Sequence, residues 1–464
     1  MSPKKCLNLA KASDGEERRH RLVRHYCPLQ KHKKHRCDGC VMKKEKKKKI
    51  RVSEKVKKTT KKLKLEEEEA KKSLYICFVE QREGGSVAIV VRTIKLSDLL
   101  SSDDEELQLR QVAYKAGEDV PDFVGCAVFG SQIIFAGGVS PSLGSGHRFP
   151  PLSCELWNRD VHAFEVHDNV FRKMDATLQT GKFFPMMVEL GGKVYALSYK
   201  LIAEPPSFEV FDPKIGLWKG LPQPPFFQPR SPYDSHTSFF YAIAGTKMFV
   251  SHDKCPVFCF DVAHPDTEWR LVPTMCGGGP FPFMGKAFVL DLPEHHDDKK
   301  KIMFAYIHDT WRLGVYLFSL EEGQESIAQI GYLKLPWWPY ELGSAAGCHF
   351  VHIGGQKACI LITQFNLPYG EGPDYKPGTH KKRGVAIPFQ FQVDITKVDR
   401  DEKNCFTLQF MTPRTFEFQT NPSTFPLPFT DGINCDCVVS SHLHIQDSNG
   451  FNLCHQSCLV IGIV

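Results

Sequence analysis

From residue 123 to about residue 412 the chain repeats one arrangement of apolar and polar positions. Each copy opens with two short apolar runs joined by a glycine turn. It continues with two runs in which apolar and polar residues alternate. In the clearest copy, residues 126–129 (CAVF) and 133–136 (IIFA) flank Gly130-Ser131-Gln132 and end at Gly137-Gly138. Apolar runs of this length between glycines predict a tightly turned hairpin buried on both faces. Residues 186–190 and 194–197 repeat it around Gly191-Gly192, 239–244 and 248–250 around Gly245-Thr246, and 348–353 and 359–362 around Gly354-Gly355. The central glycines are 61, 54 and 109 residues apart, and the last interval is two units of about 54, which predicts a divergent copy between. Residues 283–291 followed by 302–306 fill that place.

A second, outer pair follows each hairpin: 161–166 with 171–174, 207–212 with 218–221, 257–261 with 269–271, 315–320 with 330–335, and 389–393 with 406–410. Alternation is cleaner here, as expected of half-exposed strands near the rim of a sheet. A unit of four short strands cannot hide both faces of its small sheet alone, and radial stacking of such units does so. At the N-terminal end, 74–79, 87–96 and 107–114 read as the second, third and fourth strands of a unit lacking its first. At the other end, 435–440 (CDCVVS) reads as a lone first strand. Pairing the two would join the chain ends and remove both open edges.

With Gly137-Gly138 after the second strand and Trp218 or Trp269 on the fourth, the units resemble kelch repeats, and among these the degenerate repeats of plant proteins. The likeness is good over residues 123–273, weak over 280–340 and moderate over 345–412. Only the first copy keeps the glycine doublet in the family position. No F-box is visible, because the N-terminal region is lysine-rich and lacks the leucine pattern. The resemblance implies an all-β, kelch-type β-propeller of six four-stranded blades closed by a C-terminal strand. The expected organisation is a disordered basic tail over 1–72, the propeller over 73–441 and an extension over 442–464.

Charge changes this picture at one end. Residues 1–72 hold 26 Lys and Arg against 10 Asp and Glu, or +16, which leaves −10 for the remainder of a chain whose net charge is +6. A segment this charged and poor in apolar residues buries too little surface to offset its ordering entropy. Lys43, Lys44, Lys46, Lys47, Lys48 and Lys49 are the candidate nuclear-localisation residues; weak contact with nucleic-acid phosphates is the alternative use. Stacking aromatics are missing among the lysines, which argues against a dedicated single-strand binder. Cys27, Cys37 and Cys40, with His25, offer zinc ligands of irregular spacing, and Cys454, His455 and Cys458 lack a partner pair, so no metal is assigned. The 17 cysteines form no compact framework, no apolar leader is visible, and no apolar run approaches the ~20 residues of a membrane span. These features point to the nucleus or cytoplasm.

The segments 140–156, 293–300 and 366–384 are read as inserts between second and third strands. Together with the blade-to-blade links 222–232 (PQPPFFQPRSP), 275–282 and 336–340 (PWWPY), they form one long-loop face. Binding residues concentrate in loops on rigid scaffolds, and aromatics with Arg dominate interfaces. Trp337, Trp338, Tyr340, Phe226, Phe227 and Arg230 are therefore the candidate partner-binding residues, for a protein partner the sequence does not name. The basic run 380–383 is read as a solvated loop tip on that face. Copper oxidases with kelch propellers use a Tyr, a Cys and two His, and no such spacing appears here. Phosphate-loop and nucleophile-elbow motifs are missing too. The expectation is a noncatalytic interaction module without a cofactor.

Overall fold

The computed structural model describes residues 72–419, apart from 82–86, 103–105, 118, 122, 141–156, 200–204, 228–238, 253–254, 292–298, 308–311, 337–344, 365–380, 395–396 and 398–405, together with 460–463. All of these belong to one compact unit, Leu65–Val464. Structure among them is nearly all β, and helix is confined to turns such as α1 (Leu96–Leu99) and a 3-10 turn at Met275–Gly278.

The strands follow the sequence pattern in groups of four. An N-terminal trio comprises β1 (Ser73–Gln81), β2 (Val87–Lys95) and β3 (Arg110–Gly117). The first group is β4 (Gly125–Phe129), β5 (Gln132–Ala136), β6 (Val161–Glu165) and β7 (Val170–Lys173). The second is β8 (Met186–Leu190), β9 (Lys193–Leu197), β10 (Phe208–Asp212) and β11 (Leu217–Gly220). The third is β12 (Phe239–Ala244), β13 (Lys247–His252), β14 (Cys255–Asp261) and β15 (Arg270–Leu271). The divergent fourth is β16 (Met284–Asp291), β17 (Lys300–Ile307), β18 (Arg312–Ser319) and β19 (Ser326–Lys334). The fifth is β20 (Ala345–Gly354), β21 (Lys357–Gln364), β22 (Lys381–Val393) and β23 (Phe406–Phe410), with β24 (Arg414–Gln419) also on β22; β25 (Val460–Ile463) ends the series. Within each group neighbouring strands are antiparallel. The first turns need a backbone only glycine adopts freely: Gly130 has φ 59°, Gly245 φ 59° and Gly355 φ 56°.

Two expectations are corrected. Residues 435–440 lie outside the described residues, and the strand that pairs with β1 is β25, placing Leu74 opposite Ile463 and Cys77 opposite Val460. Both candidates are short β-branched runs, so periodicity could not choose between them. Lys381–Arg383, read as a loop tip, lie in β22, where Lys381 faces Gln419 and Arg383 faces Glu417. A chain running 13 residues as one strand outlasts its loop and gains a second partner, β24.

Apolar cores lie between groups, because each small sheet has two apolar faces to cover. Ala127, Ile134 and Ala163 of the first group pack with Met187, Val194 and Ala196 of the second. Val210 and Phe208 of the second meet Phe239, Val250 and Phe260 of the third. Ala242 and Phe249 meet Met303, Ala305 and Phe318 of the fourth. Phe304 and Val315 meet Ile360, Ile387 and Phe389 of the fifth. Val351 and Leu361 of the fifth meet Leu74, Ile76 and Phe78 of β1, and Ile89 and Val91 of β2 meet Ile133, Phe135 and Phe164 of the first group. The first strands also adjoin: β12 pairs in parallel with β16, β4 lies against β8, β16 against β20, and β25 against both β20 and β4. Fourth strands are the exposed ones, as Val170, Leu217, Leu271 and Tyr332 show.

Candidate functional site

Connections between second and third strands leave one end of the groups, and the glycine turns leave the other. The segments 141–156 and 365–380 belong to the first end. The segment 293–300 does not, since it joins β16 to β17, the first and second strands of its group, and so leaves the glycine-turn end. The divergent copy lacks the glycine that marks a first turn elsewhere, which is why its connection was assigned to the wrong end.

Trp337, Trp338, Tyr340 and Arg230 lie outside the described residues, as do Lys43, Lys44, Lys46, Lys47, Lys48, Lys49 and the cysteines Cys27, Cys37, Cys40, Cys454 and Cys458. Phe226 and Phe227 are described, and their assignment to a binding surface is corrected: they are 3% and 6% exposed. The amide of Phe227 donates to the Pro224 carbonyl at 3.0 Å, a turn that folds both rings inward. Phe226 lies 5.6 Å from Phe239 and 5.7 Å from His252, and Phe227 stacks on Phe239 at 6.2 Å. Trp269, in the same core, donates its indole N–H to the Pro222 carbonyl at 3.0 Å. The proline-rich link thus carries core anchors between the second and third groups.

At the end from which the connections between second and third strands leave, backbone and side chains form a polar clamp. The Gly138 amide donates to the Lys182 carbonyl at 2.7 Å, and the Asn158 amide donates to the Gly138 carbonyl at 2.7 Å. Gly137 has φ 75°, and a Cβ there would come within 2.5 Å of the Lys182 carbonyl oxygen. The doublet is therefore a close-approach requirement between the first and second groups. In the second and third groups its first position is taken by Ser198 and Ser251, both fully buried, and Ser251 Oγ accepts the Phe281 amide at 3.1 Å.

Lys182 Nζ lies 2.6 Å from Glu209 Oε1, with neither side chain exposed, and also donates to the Pro206 carbonyl at 2.6 Å and to Thr180 Oγ1 at 3.2 Å. Glu209 accepts the amides of Gln179 at 2.7 Å and Thr180 at 3.2 Å. Burial pushes the Lys182 pKa down, while the charge and hydrogen bond of Glu209 oppose that shift. With three acceptors around the ammonium, its role is to hold position rather than to meet a ligand. At the glycine-turn end a second buried carboxylate, Glu325, is bonded by Arg270 and lies 3.2 Å from Lys247 Nζ, joining the fourth group to the third. Sequence reasoning missed Lys182, Glu209 and Glu325, since a lone charge in a strand or turn reads as surface.

The thiols behave as buried apolar groups: Cys77, Cys255, Cys259 and Cys359 are buried, and burial pushes Cys259 and Cys276 up to about 12. Among the described residues no group of three or more His, Cys, Asp or Glu is placed to hold a metal ion. No described helix is long and apolar enough to cross a membrane.

The protein family described as "Protein of unknown function (DUF1668)" matches residues 154–387. No curated protein matches the chain. Among solved structures, YjhT is similar at 12% identity and a TM-score of 0.34, over 71% of this chain and 96% of that one. A protein from Lactobacillus plantarum is similar at 10% identity and a TM-score of 0.36, over 75% and 99%. A fungal alcohol oxidase of the AA5 family, in complex with copper, is similar at 11% identity and a TM-score of 0.36, over 75% and 72%. This last finding corrects the expectation that the chain is not an enzyme, because an oxidase stands among the similar structures. At such identity and TM-score none of them assigns an activity to this chain.

Proposed function

The chain belongs to the DUF1668 family, and from that premise we propose that it is a protein-interaction module, a six-bladed kelch-like propeller that presents its long connections to a protein partner. The observation that carries this reading is the order of the cores. Each group shares one with the next, and the sheet of β25, β1, β2 and β3 shares one with the fifth group and one with the first. Six strand groups sharing faces in this cyclic order stack radially, with their first strands innermost.

On such a scaffold the end from which the connections between second and third strands leave is the binding end, with the Gly138–Lys182 and Lys182–Glu209 contacts holding its frame. Trp337, Trp338, Tyr340 and Arg230 are the contact residues of this proposal. The lysines from Lys43 to Lys49 direct the chain to the nucleus. A second reading, in which the +16 tail contacts nucleic acid, is favoured by the segregation of charge alone. Affinity capture with the full chain and with a folded W337A/W338A variant tests the first reading: loss of the captured partner supports it, and unchanged capture overturns the contact assignment. Salt-steep binding to nucleic acid that disappears with residues 31–64 removed is the outcome expected of the second.

A further inference from the structure

The seam between the sheet of β1, β2 and β3 and the first group buries an imidazole among charges. His162, in β6, is 1% exposed and lies two residues before Phe164, which packs in the apolar core shared with Ile89 and Val91 of β2. Alternation along a strand puts both side chains on one face, so His162 faces the seam. After β3, a turn closed by the Val120 amide donating to the Gly117 carbonyl at 3.2 Å brings Asp119 to the same place. Asp119 Oδ2 lies 3.8 Å from His162 Nε2, too far for a hydrogen bond, and Nε2 has no hydrogen-bond partner among the described residues. That same carboxylate oxygen accepts Lys115 Nζ of β3 at 2.8 Å. On the other side, Lys173 of β7 stands opposite His162 and pairs with Asp160 at 2.8 Å, and β3 lies against β7. The charged groups around the ring are thus two ammoniums, Lys115 and Lys173, and two carboxylates, Asp119 and Asp160, each already held by one of them. Protonation makes both ring nitrogens donors. The added N–H then finds only an oxygen that Lys115 holds, and the closed seam must carry a third cation out of water. Burial, followed by the charge of Lys115, accordingly pushes the His162 pKa below its ordinary 6.5, with Asp119 and Asp160 opposing only in part.

We propose that this seam is an acid-sensitive latch: His162 is neutral while β3 and its turn are closed on the first group, and taking up a proton releases them. Opening returns the imidazole to water and to its ordinary affinity for protons. The open state therefore binds more protons than the closed one. Stability of the closed seam is lost as pH falls through 6.5, and the loss stops below the closed-state value. The hydrogen bond from Lys115 holds Asp119 below the ordinary carboxylate range, so Asp119 keeps its charge over this window. Hydrogen exchange of the full chain at pH 7.5 and pH 5.5, corrected for the intrinsic rate, tests the latch at β3 and β6. The opening equilibrium of the wild type rises there by up to about tenfold, the limit for a group of pKa near 6.5 that must be neutral when closed. Phe240 and Tyr241 at the β12–β16 pairing keep their protection. His162→Gln removes the titrating group and the pH dependence with it. Asp119→Asn keeps the imidazole but takes away a carboxylate that favours its charge, and loses at least as much protection as the wild type. Wild-type protection unchanged with pH, an equal loss at Phe240 and Tyr241, an equal loss in a folded His162→Gln, or a smaller loss in Asp119→Asn overturns the latch. If His162→Gln does not fold, the wild type and Asp119→Asn decide alone.

Discussion

Lys182 Nζ lies 2.6 Å from a carboxylate oxygen of Glu209, and neither side chain reaches solvent. The pair joins the segment that enters the second group to that group's third strand, directly under the Gly138–Lys182 backbone contact. The two partners are not equivalent. Glu209 also accepts two backbone amides, from Gln179 and Thr180. Removing it takes the charged acceptor from a buried ammonium and strands two N–H groups, whereas removing Lys182 leaves a carboxylate that keeps both amides and the Thr180 hydroxyl as donors. Glu209→Ala is expected to cost about 3–5 kcal/mol and Lys182→Met less, by chemical denaturation of the two variants. Equal costs would show that the amide bonds to Glu209 contribute little.

The glycine at the doublet differs from the glycine at the first turn. Gly130 has φ 59° with nothing within 4 Å of a built Cβ, whereas Gly137 has φ 75° and the Lys182 carbonyl 2.5 Å away. Gly130→Ala pays only for the left-handed backbone, about 1–2 kcal/mol. Gly137→Ala must also displace the neighbouring group, and its midpoint in denaturant is expected to fall clearly below that of Gly130→Ala.

Phe226 and Phe227 act through the core. Phe226→Ala and Phe227→Ala are each expected to lower stability by about 3–5 kcal/mol, the usual cost of emptying a buried aromatic site. Loss of partner capture by either variant at full stability would restore them to the surface.

Glu325 predicts an acid transition. Burial raises its carboxyl pKa, but the hydrogen bond from Arg270, with help from Lys247, outweighs that and holds it below the ordinary 4.5. A carboxyl whose folded pKa is depressed contributes stability above its unfolded value and loses it as pH falls through the folded one. Thermal unfolding of Glu325→Gln should therefore start lower than wild type at pH 6 and fall less steeply between pH 5 and pH 3. Parallel curves would mean that the bonds from Arg270 and Lys247 to this carboxylate contribute no pH-dependent stability.

The repeat was legible because tight turns demand glycine and small two-faced sheets demand apolar runs, so the strands of all five groups lie where periodicity places them, although β22 begins well before 389–393. The partner of β1 was not legible, since 435–440 and Val460–Ile463 carry the same short pattern and only pairing distinguishes them. Phe226 and Phe227 misled because the five prolines of their link signal a loop, while the turn at Pro224–Phe227 folds the rings inward. Lys182, Glu209 and Glu325 are distant in sequence from the groups that give them meaning. Their roles come from adjacency between groups, which no local window contains.

The central claim is that the chain ends share one sheet and so complete the cyclic order of cores. Hydrogen exchange of the full chain and of a form lacking residues 460–464 tests it most directly, read at Leu74–Cys77, where β1 meets β25. The account predicts that these amides, with those of β4 and β20, lose protection in the shortened form, while the amides of Phe240 and Tyr241 at the β12–β16 pairing keep theirs. Unchanged protection of Leu74–Cys77 after removal of those residues would contradict it.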